Sequence, residues 1–136
     1  MIKKLKISNK VGLLGEDLAS KFLENKNFTI LCRNYLEKSG EIDIIDIIAK
    51  KDNILHFVEV KSVSCENVDY LDSLSFRPEE NVHYKKLERM QKTIFLYLLK
   101  NNLDQNKIDF QIDVLCVYIE EKRKLAKVKA IWNIIV

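Results

Sequence analysis

The sequence predicts an α/β or α+β domain in which a central mixed sheet of about five strands is flanked by helices. Three observations point there. Hydrophobic residues make up 47% of the chain, enough for a core, which argues against wholesale disorder. The apolar pattern alternates between the helical and the strand period in the order helix, three strands, helix, two strands. No repeat, low-complexity tract or linker divides residues 1–136, a length that suits one domain, with 1–10 as a candidate flexible end.

Each element has a local reason. Over 11–25, Val11, Leu14, Leu18, Ala19, Phe22 and Leu23 fall on one helical face. The segment FTILCRNY, 28–35, reads as a strand, and two more follow over 41–49 and 54–62. KKDN joins those two, and Asp52-Asn53 tolerates the backbone of a tight hairpin turn. The polar stretch SVSCENVDYLDSLSFR, 62–77, has no period and is long for a structureless connection, a kind of loop that is often functional. Pro78 suits a first helical turn, and Glu79 and Glu80 suit the positive end of a helix dipole. Leu87, Met90, Ile94, Tyr97 and Leu98 then continue at helical spacing as far as Asn101-Asn102. Strands over 108–119 and 125–135 close the chain.

Bulk chemistry bounds the function. A net charge of +3 permits a nucleic-acid partner without demanding one. No apolar run reaches the roughly 18 residues that span a bilayer, and the basic start MIKKLKISNK has no apolar signal core behind it. A cytoplasmic protein away from the membrane is expected. Cys32, Cys65 and Cys116 are odd in number and lack CxxC spacing, which fits reduced thiols rather than a zinc site.

The chemistry concentrates in GEIDIIDIIAKKDNILHFVEVK, 40–61, an apolar run carrying Glu41, Asp43, Asp46, Glu59 and Lys61. Buried carboxylates need partners. On a strand, Phe57, Glu59 and Lys61 share one face, while His56, Val58 and Val60 share the other, more apolar one. An exposed edge strand with an incidental ion pair is the plain alternative for E-x-K alone. The preceding strand adds carboxylates across the hairpin, and clustered carboxylates are relieved by a divalent cation. All-oxygen ligands select Mg²⁺ or Mn²⁺, and an adjacent lysine can position a water and stabilise a phosphoryl transition state. Glu16, at the border of the first helix's apolar face, can reach toward the sheet or stay half-exposed.

With these residues in place, the chain resembles the YraN-like family of small bacterial proteins, of restriction-endonuclease-like fold and similar to archaeal Holliday junction resolvases. The matching pieces are GEDLASKFLENKNFTILCRNY, GEID, FVEVK, VHYKKLERMQKTIFLYL and IDVLCV, in family order over 11–119. The resemblance implies a PD-(D/E)XK-type metal-dependent deoxyribonuclease. Asp43 and Glu59 would be metal ligands, joined by Glu16 as an accessory acid at the metal, and Lys61 the catalytic lysine, with Glu41 in the same motif. Lys86 matches a lysine at the start of the second long helix and, with Lys85 and Arg89, is a candidate phosphate contact. DNA is the expected partner, with branched or processed DNA as substrate, and a homodimer would suit a junction cutter. A weakly catalytic or non-catalytic nucleic-acid-binding protein of the same fold is the alternative, and an adaptor whose charged hairpin only makes ion pairs is a third.

The chain also departs from the family pattern. GEID and FVEVK stand a few residues further apart, with IDIIDI resembling a short duplication. A turn centred on Asp52-Asn53 sets Asp46 directly opposite Glu59 and turns Asp43 to the other face. A bulge or a shifted turn restores Asp43, which the motif favours. Lys61 is followed by Ser62-Val63 instead of a small polar residue and an arginine, and the next loop carries Glu66, Asp69 and Asp72. Both features weaken phosphate binding. Basic surface remains at His83, Lys85, Lys86, Arg89, Lys92 and Lys122–Lys124, which is as readily a solvated face.

Overall fold

A computed structural model describes residues 11–37, 44–72 and 77–136. Helix α1 (Val11–Asn25) leads into β1 (Thr29–Tyr35), β2 (Ile45–Lys51) and β3 (Ile54–Ser64). Two short 3₁₀ turns, Val68–Asp72 and Pro78–Asn81, precede helix α2 (Tyr84–Lys100), and β4 (Asp109–Glu120) and β5 (Leu125–Ile131) complete the fold. The five strands form one sheet in sequence order. Only β3 and β4 pair in parallel, with α2 on the crossover between them, and the other pairs are antiparallel. This is the predicted α/β architecture, a five-stranded mixed sheet with two helices, consistent with a restriction-endonuclease-like fold.

The central strands are buried on both faces, which explains their near-continuous apolar runs. On one face α2 sets Leu87, Met90, Ile94 and Leu98 against Ile48, Phe57, Cys116 and Tyr118. On the other, Ala19 and Leu23 of α1 pack with Ile47, Ala49, Val58, Leu115 and Val117. Phe57 is fully enclosed, and truncating it to alanine is expected to cost about 3–5 kcal/mol. The hairpin between β2 and β3 turns at Asp52 and Asn53, both at positive φ (51° and 64°), as the sequence predicts.

Several boundaries differ from expectation: β2 runs Ile45–Lys51 rather than 41–49, with 41–43 outside the described residues, and β5 ends at Ile131 rather than 135. Pro78, Glu79 and Glu80 begin a 3₁₀ turn rather than α2, because Val82 is extended (φ −87°, ψ 124°) and interrupts the helical path. Helix α2 therefore starts at Tyr84, with His83 at its N-cap making no side-chain cap bond. The polar stretch after β3 is not structureless: Val68 and Leu71 of its 3₁₀ turn are buried under the sheet's end. Among the described residues Cys32, Cys65 and Cys116 are free thiols, and no helix is long and apolar enough to cross a membrane.

Candidate active site

The register of the β2–β3 hairpin builds the site. Pairing runs from Lys51 opposite Ile54 to Ile47 opposite Val58 and stops there. The next pair in the same register is Asp46 and Glu59. Beyond that point β2 still pairs with β1, through Tyr35 and Ile45, and β3 still pairs with β4, but β2 and β3 no longer pair with each other. Asp46 Oδ2 instead accepts a hydrogen bond from Val60 N at 2.8 Å, so a side chain takes the place of a ladder carbonyl. The two strands fork, and the carboxylates of Asp46 and Glu59 meet in the opening.

A cavity of about 410 Å³ occupies this fork, lined by Glu16, Asp46, Glu59, Lys61, Ser62 and Lys86, with His83 at its edge. Glu59 is only 8% exposed. Its Oε2 lies 2.7 Å from Lys86 Nζ, while its Oε1 is buried without a hydrogen-bond partner. Burial, then the hydrogen bond and negative charge of Glu59, push the Asp46 carboxyl up to about 7, partly offset by the Val60 amide and Lys86. Two carboxylates this close do not both hold full charge without a proton or a cation between them.

Glu16 reaches the cavity because α1 approaches β3 closely. A Cβ on Gly15 would stand 1.8 Å from Ser62 Oγ and 3.1 Å from Ser62 Cβ, so an added methyl would force the Ser62 side chain to move. Glu16 Oε1 is buried without a hydrogen bond and forms only a long ion pair, at 3.8 Å, with Arg33 Nη2, which bonds Asp17 Oδ1 at 2.8 Å. Arg33 was not singled out by the sequence. Its signal was a lone cation within strand FTILCRNY, legible only once β1 is known to run beside α1.

The fork thus brings together Glu16, Glu59, Lys61 and Lys86 of the predicted set, with Asp46 as the aspartate facing Glu59. Asp43 and Glu41 lie outside the described residues. Lys85 and Arg89 sit on the exposed face of α2, away from the cavity lining. Among the described residues no group of three His, Cys, Asp or Glu side chains is already set to hold a metal ion. The donors present nevertheless suit a hard divalent cation. They are oxygens, two are buried without a hydrogen bond, and Mg²⁺ is commonly held by one or two carboxylates with water and substrate completing its shell.

A model of the uncharacterised protein family UPF0102 matches residues 15–117. The chain belongs to this family. Similar UPF0102 proteins occur in Campylobacter jejuni subsp. jejuni (47% identical over 106 residues, 78% of this chain and 81% of the relative) and in Campylobacter lari (41% over 117 residues, 86% and 91%). Another, in Campylobacter fetus subsp. fetus, is 45% identical over 123 residues (90% and 91%). These names give the family alone. The YraN-like resemblance read from the motifs is therefore correct, and the UPF0102 match spans every residue of the fork, from Gly15 and Glu16 to Lys86.

Proposed function

We propose that this UPF0102 protein is a metal-dependent endonuclease that hydrolyses DNA phosphodiesters, at branched or processed DNA. One observation carries the reading. Where β2 and β3 separate, Asp46, Glu59 and Lys61 share a cavity with Glu16, and two of its carboxylate oxygens are buried without a hydrogen bond. Buried carboxylate oxygens short of hydrogen-bond donors are costly, and a bound cation would relieve that cost.

Glu59, with Asp46 or Asp43, would hold Mg²⁺ or Mn²⁺, and Glu16 would orient its water shell. When bound, the cation supplies Lewis-acid polarisation of the phosphate and a more acidic water. Lys61 orients the attacking water, and its charge stabilises the negative charge that accumulates on the phosphoryl oxygens. The water oxygen bonds to phosphorus as the bond to one strand oxygen breaks. The water's proton leaves through the cavity carboxylates to solvent, and the leaving oxygen takes up a proton. Lys86 neutralises Glu59 at rest and faces the incoming phosphate.

One contact favours a second reading. Lys86 Nζ already sits 2.7 Å from Glu59, a built-in cation that lets the fork persist in a protein that binds nucleic acid without cutting it. Labelled duplex, single-stranded and four-way-junction DNA separate the two readings. The nuclease reading requires cleavage that depends on Mg²⁺ or Mn²⁺ and is lost in Lys61→Ala. Binding without cleavage under every metal condition selects the second.

A further inference from the structure

A second cavity, of about 400 Å³, lies where the end of α1, the β2–β3 turn and the end of β5 meet. It shares no lining residue with the fork. Its floor is His56, 7% exposed, whose Nδ1 lies 2.6 Å from Oδ2 of the fully buried Asp113. Asp113 is otherwise satisfied: its Oδ1 accepts bonds from Gln111 Nε2 at 2.7 Å and Asn133 N at 2.8 Å. The carboxylate thus fixes the imidazole through Nδ1 and leaves Nε2 as the ring nitrogen available to a ligand.

The walls are aromatic and the rim is cationic. Trp132 stacks on Phe28, with ring centroids 5.7 Å apart and planes within 6°, and meets the His56 ring edge-on at 6.2 Å, yet it remains 41% exposed. Lys51 Nζ stands 5.1 Å from the Phe28 centroid, and Lys26 Nζ stands 5.0 Å from that of Phe22. A cation–π contact places an ammonium group without cancelling its charge, so both lysines keep donors for an anion. Asp52 is the one carboxylate on the lining. A purely structural His–Asp pair explains how Asn133 is tied to β4, but not why two cations sit over Phe22 and Phe28, the rings stacked with an exposed indole.

We propose that this cavity binds a nucleoside monophosphate unit, its phosphate between Lys26 and Lys51 and its base against Trp132 and His56. Stacked aromatic surface beside fixed cations is the chemistry that proteins use for single nucleotides and unpaired strand ends, and the volume falls within the range of small-ligand pockets. The unit is supplied either as a free nucleotide or as the phosphorylated end of a strand. The inference stands on residues outside the fork and does not depend on the nuclease reading.

Trp132 is the chain's single tryptophan, so its fluorescence reports on this cavity alone. The experiment titrates the full chain with adenosine monophosphate, with a short 5′-phosphorylated single-stranded oligonucleotide, and with adenosine as the phosphate-free control. Saturable quenching is expected with at least one of the phosphorylated ligands, at least ~10-fold tighter than with adenosine. Quenching by the mononucleotide marks the free nucleotide as ligand, and quenching by the oligonucleotide alone marks a strand end. Charge reversal of both surface lysines (Lys26→Glu with Lys51→Glu) should weaken binding by at least ~10-fold, and inorganic phosphate should compete in the unsubstituted chain, a readout independent of that variant's folding. Glu59→Gln should leave the quenching unchanged. No saturable quenching, equal affinity for adenosine, no competition by phosphate, or loss of binding in Glu59→Gln would each overturn the proposal.

Discussion

The fork and the β4–β5 turn both bury glutamates, and they treat them in opposite ways. Glu120, 2% exposed, is fully answered. Its Oε1 accepts from Val68 N at 2.9 Å and Arg123 Nη2 at 2.8 Å, and its Oε2 accepts from Arg123 Nε. Arg123 also bonds Asn67 Oδ1 and Asp69, so the 3₁₀ turn Val68–Asp72 is held against the end of β4. Arg123 holds the Glu120 carboxyl down at about 2, against the opposing effect of burial. Glu59, also buried, has one oxygen on Lys86 and one without a hydrogen bond, and it pushes its neighbour Asp46 up. A satisfied carboxylate is scaffold. One left short of partners, beside a second that resists ionising, is built for a ligand that arrives later.

The largest expected effect tests that distinction through chemistry. Replacing Lys61 with alanine should slow metal-dependent DNA cleavage by roughly 100- to 1,000-fold, the usual loss for one preorganised electrostatic group. Arg123→Met, at the satisfied glutamate, should lower the melting temperature and leave the cleavage rate per folded molecule intact. Next in size is the response to metal. At a hundred times its dissociation constant, Mn²⁺ should stabilise the chain by about 2.7 kcal/mol, read as a rise in melting temperature. Glu59→Gln should remove that rise, whereas Glu120→Gln should retain it from a lower baseline.

Gly15→Ala comes third. The new methyl meets Ser62 Oγ, and overpacking of this kind costs typically about 1–3 kcal/mol. Because the strain falls where α1 delivers Glu16 to the fork, metal affinity should fall together with stability. Ser62→Gly, which clears the space, should restore both in the double variant. Calorimetric titration with Mn²⁺ alongside thermal melts checks this, and recovery of stability without recovery of metal affinity would break the link between Gly15 and the site.

The scaffold was more legible than the site. Helix α1, all five strands and the Asp52-Asn53 turn follow from apolar period and turn chemistry, which are local. The same hairpin arithmetic sets Asp46 opposite Glu59, because antiparallel register is fixed once the turn is known. The parting of the two strands was not legible. It depends on a side chain, Asp46, displacing a backbone acceptor at Val60. The start of α2 was misplaced because Pro78 and two acids satisfy the rules for a first turn of either helix type, and Val82 then leaves the helical path. His56 with Asp113, 57 residues apart, and Glu120 with Asn67 and Val68 are pairings across the sheet that no local pattern encodes. In sequence Glu120 reads as the first of a charged surface run, IEEKRK, and its burial follows only from where β4 ends.

The pH responses are the most diagnostic, because the two carboxylates should respond with opposite sign. Glu120 ionises near 4.5 in an unfolded chain and near 2 when folded. The unfolded state therefore binds more protons between those values, so the stability this group contributes is complete above pH 4.5 and is lost as pH falls toward 2. Asp46 is the reverse. Its folded value near 7 lies above the ordinary 3.8, so the folded state binds more protons and stability falls as pH rises from about 4 to 7. In metal-free protein, urea melts at a series of pH values should show Glu120→Gln flattening the acid limb alone. Asp46→Asn should flatten the limb between about 4 and 7 and be the more stable chain at pH 8, while losing the stabilisation by Mn²⁺. If Asp46→Asn were instead the less stable chain at pH 8, the fork carboxylates would be satisfied in the resting protein, as Glu120 is, and the contrast between the two regions would disappear.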